Sequence, residues 1–351
     1  MTANIYDAGL YSTVEALSSV AIALILWVGG GQVIHNVIQI GTLVAFIDYT
    51  QRFFNPLRDV ANKYTTLQSA LAAVERIEAL METPRTISSP AVPKRITGGP
   101  GAIVFDHVSF EYRTGEPVLR DLSFHVDPGQ KIAIVGPTGS GKTTIIKLLN
   151  RFYDVTGGRI LVDGADVRDW DLTALRRAIG LVQQDVFLFA GDILDNVRLA
   201  RTDLGEREVR EALGRAQALR FVDRLRGGLN EEIHERGANL SAGQRQLLSF
   251  ARTLAYNPRI LVMDEATSSV DSETERLVQI AFNELLADRT ALVIAHRLST
   301  IERADRIIVL SNGVLRESGT HEELLKRPGL YRRLFELQYA AASEAVREAV
   351  D

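Results

Sequence analysis

A glycine-rich run ending in a lysine and a threonine is the first place where this chain can do chemistry. Gly136-Pro137-Thr138-Gly139-Ser140-Gly141-Lys142-Thr143 has the spacing G-x-x-x-x-G-K-[ST]. Glycines let the backbone curl until its N–H groups point inward, where they hold phosphate oxygens. Lys142 is then placed to reach the β- and γ-phosphates of a nucleoside triphosphate as a point charge, and the Thr143 hydroxyl to bind Mg2+. Thr144 follows in the opening turn of a helix whose positive dipole end attracts the same anion. A decorative glycine-rich turn is the bland alternative, and the context weighs against it. The apolar strand Lys131–Val135 runs straight into the loop, and Ile145, Ile146, Leu148 and Leu149 follow at helical positions.

A triphosphate site needs an acidic partner at the end of a second apolar strand. Arg259-Ile-Leu-Val-Met-Asp264-Glu265 supplies it. Asp264 is placed to hold the Mg2+ shell through water. Glu265 stands next, at the carboxyl edge where ligands collect, as the residue to polarise an attacking water. Two solvated carboxylates at a strand end are common in proteins; paired with the phosphate loop, they read as one site.

Leu240-Ser241-Ala242-Gly243-Gln244 is the third element. Ser241 and Gln244 form an S-x-x-Q capping box that opens a helix with Leu247, Leu248, Ala251 and Leu254 on its apolar side. Asn257-Pro258 stops it. A helix start with a free hydroxyl and a bare Gly243 reads as a second anion-binding site, although a capping box by itself signals only a stable helix.

The elements that carry these residues can be read from the rest of the chain. The 351 residues allow two domains, and 40 basic against 44 acidic residues give a formal charge of −4, against a general nucleic-acid-binding surface. There are no cysteines, which excludes disulfides and thiolate metal sites. Strand-like apolar runs at Ala102–Phe105, Ile132–Val135, Ile160–Val162, Ile260–Met263, Ala291–Ile294 and Ile307–Leu310 alternate with helical patterns. That alternation predicts an α/β domain with a mainly parallel core sheet. Glu208–Leu225 reads as one amphipathic helix within a helical insertion.

Ahead of this domain the texture changes. Ala16–Ile47 contains no Asp, Glu, Lys or Arg. Within it Ala16–Ile34 is about the length that crosses a ~30 Å hydrocarbon core as a helix. A second stretch, Ile38–Phe54, is interrupted by Asp48 and Arg52, and a short turn is expected around Gly29–Gly31 and His35–Asn36. Arg52, Arg58, Lys63 and Arg76 then mark the cytoplasmic side. The pattern from Pro56 to Glu82 is helical, so the second span is expected to continue into the cytoplasm until Pro84 ends it. Thr83–Gly101, rich in Pro, Gly and Ser, is a linker. The expected organisation is a membrane segment over 1–82 with spans near 16–35 and 38–56, a linker over 83–102, a nucleoside-triphosphate-binding domain over 103–337 and a helical tail over 338–351; the resemblance that the motifs carry makes these a partial membrane domain and an ATP-binding domain. A buried helix pair in a soluble protein is the competing explanation of the apolar part.

Taken in order, these motifs resemble the ABC transporter superfamily, whose signature LSGGQ is matched by Leu240–Gln244 with Ala242 in place of the first glycine. The resemblance covers residues 103–337. It implies a P-loop NTPase fold with antiparallel β and helical subdomains, preceded here by an all-α transmembrane segment. It further implies that Tyr112 stacks on adenine, that Gln184 contacts Mg2+ and senses the membrane domain, that Asp271 belongs to the D-loop, and that His296 is the switch histidine near the γ-phosphate. ATP and Mg2+ are the implied ligands. A head-to-tail dimer is also implied, in which Ser241 and Gly243 of one copy complete the site built by Lys142 and Glu265 of the other.

The apolar N-terminal part is similar to the exporter subgroup. Gly41–Phe46, Pro56-Leu-Arg58 (read as a turn) and Ala70–Ile77 look like its last membrane helix and cytoplasmic extension. Glu235-Arg-Gly237 resembles that subgroup's cross-talk loop, with His234 where a glycine is usual. Exporters of this kind carry six membrane helices per half, so the chain reads as truncated, and a homodimer and a heterodimer are both compatible with it. The implied setting is the cell membrane, multi-pass, with the ATP-binding domain cytoplasmic, a second half transporter as partner, lipid around it and an exported substrate. The rival is a soluble ABC-type ATPase of DNA or ribosome maintenance, which has no use for a charge-free run of membrane length.

Overall fold

A computed structural model describes residues 2–94, 99–199, 201, 203–264, 272–295 and 298–337. Glu265, Asp271, His296 and the expected tail over 338–351 lie outside the described residues. The chain divides into two compact units, Met1–Thr86 and Ile87–Asp351.

The first unit is a helical hairpin of α1 (Thr2–Ile34) and α2 (Ile40–Glu82). Gly29–Gly31 are helical, against the turn expected there. A Cβ at Gly29 would come within 2.5 Å of Leu43 Cδ1 in α2, so this glycine lets the two helices approach. The reversal belongs to Asn36 instead. It adopts a left-handed φ of 58°, and Val37 N–H donates to Gln32 O (2.9 Å) while Asn36 N–H donates to Val33 O (3.0 Å). That pattern closes α1 as a Schellman motif. α2 runs unbroken through Pro56, so Pro56-Leu-Arg58 is helix rather than turn. It ends at Thr83, whose hydroxyl donates to Ala79 O (2.8 Å) ahead of Pro84.

Ser12–Ile34, with a mean hydropathy of 1.9, is long and apolar enough to cross a membrane. The start of α2 carries an Asp48–Arg52 ion pair (2.9 Å) and does not reach that standard among the described residues.

The second unit opens with a segment that is pinned rather than loose. Ser89 Oγ accepts from Leu172 N–H (2.9 Å), Lys94 N–H donates to Asp169 O (3.0 Å), and Asp163 Oδ1 accepts from the backbone N–H of Gly101 (2.7 Å) and Ala102 (2.9 Å). Then come β1 (Ile103–Glu111), β2 (Pro117–Val126), β3 (Lys131–Val135), α3 (Lys142–Leu149), β4 (Gly157–Val162), β5 (Ala165–Asp166), α4 (Leu172–Ala178) and β6 (Ile179–Val182). A helical region follows: β7 (Gly191–Asp192), α5 (Ile193–Arg198), α6 (Glu206–Arg215), α7 (Leu219–Val222), β8 (Glu232–Ile233) and α8 (Ala242–Tyr256). The chain closes with β9 (Ile260–Asp264), α9 (Ser272–Leu286), β10 (Thr290–Ile294), α10 (Leu298–Glu302), β11 (Arg306–Ser311), β12 (Val314–Gly319) and α11 (His321–Lys326).

The main sheet has the order β12-β11-β3-β10-β9-β6 and is parallel except for β12. A separate antiparallel sheet has the order β2-β1-β4-β5. The apolar runs at Ala102–Phe105 and Ile160–Val162 therefore belong to the antiparallel sheet, not the parallel core. The amphipathic stretch 208–225 is two helices, because Gln217 turns left-handed at a φ of 58°. The bend still buries Val209, Ala212, Leu213, Ala216 and Val222 in one cluster.

Side chains alternate across a strand, so the core strands sort the helices between two faces. Ile132, Ile134, Ile260, Val262, Leu292 and Ile294 join one cluster with α3 and the antiparallel sheet. Leu261, Met263, Ala291 and Val293 join another with α8 and α9. Ala133, Val135, Ile307 and Val309 join a third with Ile301, Leu324 and Tyr331. The phosphate loop's helix thus packs on one face of the main sheet, and the helix opened by Ser241 packs on the other.

Candidate functional site

The loop between β3 and α3 has the backbone that phosphate binding requires. Gly139 and Gly141 take φ of 79° and 102°. A Cβ at Gly136 would lie 2.1 Å from Leu310 O, and one at Gly141 would lie 2.7 Å from Leu119 Cδ2. Side chains are excluded at both positions, one by backbone and the other by the packed core. Ser140 is 2% exposed, and its Oγ has no hydrogen-bond partner among the described residues. A buried, unpartnered hydroxyl inside a glycine cradle fits a ligand oxygen. Pro137 and Thr138 are exposed at the crest, and Thr144 is buried on α3.

Lys142 opens α3 and is buried, with Nζ donating to Gly136 O (2.8 Å) and Pro137 O (3.0 Å). The ammonium is therefore held inside the loop by its own carbonyls. Burial lowers its pKa, and the negative charge of Asp264 works against that shift. The Thr143 hydroxyl donates to Asp264 Oδ2 at 3.4 Å. Hydroxyl and carboxylate converge although they are 121 positions apart, because β10 pairs in parallel with both β3 and β9 and so levels their carboxyl ends. This donor set, a hydroxyl and a carboxylate beside a phosphate cradle, fits Mg2+.

Tyr112 lies just beyond the end of β1, 44% exposed, with its hydroxyl 3.2 Å from Thr144 Oγ1. Tyr153 meets it edge-on with ring centroids 5.2 Å apart, and Lys147 Nζ sits 5.6 Å from its ring centroid. Sequence reasoning missed Tyr153 and Lys147. Their signal was an aromatic just after α3 and a lysine on the helix side facing Tyr112. Gln184 is exposed two residues past β6, whose Val182 pairs with Met263, so it follows the same carboxyl edge as Asp264.

The capping box holds as expected. Ser241 Oγ accepts from Gln244 N–H (3.2 Å), and Gln244 Oε1 accepts from Ser241 N–H (2.9 Å). Ser241 is exposed, whereas Gly243 is buried, so the hydroxyl rather than the glycine meets the surroundings. Further along α8, Arg252 donates to Phe187 O (3.1 Å) and Asn196 O (2.9 Å), which ties the segment after Gln184 to this helix. Burial lowers its pKa. Sequence reasoning did not pick it out; a charge beside the apolar side of a helix was the available signal. His234, Glu235 and Arg236 are exposed above buried Ile233 and Gly237, with Arg236 left-handed at a φ of 57°.

These features define an ATP-binding P-loop domain with a second, surface-displayed helix cap. Residues 119–268 match the model of the family described as ABC transporter. An uncharacterized ABC transporter ATP-binding protein of Bacillus subtilis is 41% identical over 93% of this chain and 54% of its own length. A fatty acid ABC transporter ATP-binding/permease protein of Mycobacterium bovis is 43% identical over 91% of the chain and 50% of its own length. The solved structure of a bacterial Atm1-family ABC exporter with ATP bound matches with a TM-score of 0.70 and 36% identity, over 95% of this chain and 58% of that one. The second unit therefore carries an ABC transporter domain, the ATP-binding, ATP-hydrolysing domain of that family, and the chain is similar to ABC transporter proteins over nearly all of its length. It spans about half the length of the curated relatives it matches. Those named as ATP-binding/permease proteins combine both functions in one chain, which leaves the soluble-ATPase reading without support.

Proposed function

We propose that the chain powers export across a membrane by binding and hydrolysing ATP between two nucleotide domains. The observation that carries this reading is the convergence of Thr143 on Asp264 at 3.4 Å, beside Lys142 and the unpartnered Ser140 hydroxyl. The curled backbone and Ser140 hold phosphate oxygens, and Lys142 exchanges its loop carbonyls for the β- and γ-phosphates. Tyr112 stacks on the base. Thr143 and Gln184, with Asp264 through water, would hold Mg2+, which would neutralise charge on the phosphates. Glu265 polarises the attacking water, while Gln184, Asp271 and His296 respond to the γ-phosphate.

The second helix cap is assigned to a partner. α8 packs on the face of the main sheet opposite α3, and its exposed Ser241 is directed to the ATP of a second half transporter, identical or different. Gly243 and Gln244 support that cap from behind. Closure of the pair around ATP differs from the open pair by contacts to the γ-phosphate, which is what lets hydrolysis reset it. α1 and the start of α2 are assigned to membrane spans in a multi-pass protein, embedded in lipid, with the nucleotide domain cytoplasmic and the exported substrate handled by the membrane part. No role with nucleic acid is assigned.

The test is Glu265→Gln. Turnover is expected to fall at least about 100-fold with ATP binding retained. Near-normal turnover would remove Glu265 from its assigned role.

A further inference from the structure

On the divided face of the main sheet, the α8–α9 cluster and the α10–α11 cluster do not close on each other. Between them lies a cavity of about 170 Å3. Its floor is Ala133 from the third cluster and Val293 and Phe282 from the second, with Leu286 and Ala304 on the walls. Ala133 is 0% exposed and Val293 3% exposed, so the shielded part of the lining is apolar except for Thr300, which is also buried. A dry apolar cavity of roughly 150 Å3 holds one benzene ring.

The mouth has a different character. Lys131 and Arg303 stand there with the amides of Gln279 and Asn283, and among the described residues no carboxylate lines the cavity. Arg303 Nη1 donates to Asn283 Oδ1 at 3.3 Å, joining the end of α10 to α9 across the opening. An apolar floor asks for a ring, and two cations without a lining carboxylate ask for an anion at its edge. The seam has a structural cause. Adjacent strands β3 and β10 present Ala133 and Val293 side by side, and neither residue is large enough to fill the space between α9 and α10.

We propose that this cavity binds a small monocyclic aromatic carboxylate. The site is separate from the nucleotide site and rests on no part of the reading given to it. Benzoate titrated calorimetrically into the whole protein is the probe, with benzyl alcohol as its uncharged counterpart. Benzoate is expected to bind, and benzyl alcohol to bind about tenfold more weakly. Arg303→Gln, at an exposed position, is expected to weaken benzoate about tenfold. Ala304→Leu, which narrows the mouth, is expected to weaken both compounds by at least about tenfold. Lys142→Ala is expected to leave benzoate binding unchanged, which separates it from occupancy of the phosphate loop. Absence of benzoate binding, equal binding of benzyl alcohol, or unchanged benzoate affinity in Arg303→Gln would each overturn the proposal. Unchanged affinity in a folded Ala304→Leu protein does the same.

Discussion

The two faces of the main sheet are built differently. On one, β3, β9, β10 and β11 contribute to a single apolar cluster that also takes in α3 and the antiparallel sheet. On the other, the same strands contribute to two clusters, with a cavity at the seam. The continuous face carries the phosphate loop, whose Gly136 and Gly141 leave no room for a Cβ and whose hydroxyl and carboxylate must meet closely. The divided face carries α8, which displays Ser241, and α9 and α10, which directly follow the segments holding Asp271 and His296. Fixed geometry stands on unbroken packing; the helix whose cap is assigned to a partner stands where packing is interrupted.

The sharpest way to break this contrast is at the loop itself. Lys142→Ala is expected to lower the kcat/KM of ATP hydrolysis by about 10²–10³-fold, the scale for losing one positioned donor to developing charge. Melting is expected to change little, because the lysine's partners are loop carbonyls that water can reach once it is gone. Hydrolysis within tenfold of the native rate would mean that the continuous face does not carry the chemistry.

Packing is the next largest effect. Leu148 on α3 and Leu285 on α9 are both 0% exposed, one on each face. Truncating either to Ala is expected to cost about 2–5 kcal/mol, more where the surroundings cannot collapse. Leu148→Ala is therefore placed at the upper end and Leu285→Ala at the lower, measured by denaturant unfolding. Equal costs would remove the mechanical difference between the faces.

The Ser241 cap distinguishes local from shared work. Ser241→Ala loses one N-cap bond and is expected to cost about 1 kcal/mol of stability. If the hydroxyl also reaches a partner's ATP, turnover falls well beyond what that loss accounts for, while ATP binding to isolated copies persists. A turnover loss no larger than the stability loss explains would confine Ser241 to capping.

Much of the continuous face was legible in the sequence, because its demands are local. A Cβ-free turn after an apolar strand needs those glycines, and the pairing of Thr143 with Asp264 needs only two apolar runs and the residues just past their ends. Ser241 and Gln244 were legible for the same reason. The features that escaped depended on contacts distant in sequence. Gly29 reads as a turn residue until α2 is seen packed against it, and the actual reversal rests on the left-handed Asn36. The hydrophobic period over 208–225 continues through the bend at Gln217, since both helices face one cluster. Arg252 acquires a role only when the carbonyls of Phe187 and Asn196 are brought to it.

The smallest expected effect lies in the third cluster, which is closed by a polar clasp. The Tyr331 hydroxyl and His321 Nδ1 are hydrogen-bonded at 2.6 Å, and Glu302 Oε1 lies 3.9 Å from His321 Nε2. Burial, aided by the charge of Glu302, pushes the Tyr331 phenol up to about 12 from an ordinary value near 10. A raised pKa means that the folded state keeps a proton which the unfolded chain releases. The clasp's contribution is therefore complete below about pH 10 and lost as pH rises through about 12. Tyr331→Phe is expected to cost about 1 kcal/mol at neutral pH through one lost hydrogen bond. It is also expected to flatten the stability loss across that alkaline window. Stability curves that stay parallel for the native and Tyr331→Phe chains throughout the window would show that the clasp does not couple this phenol's proton to folding.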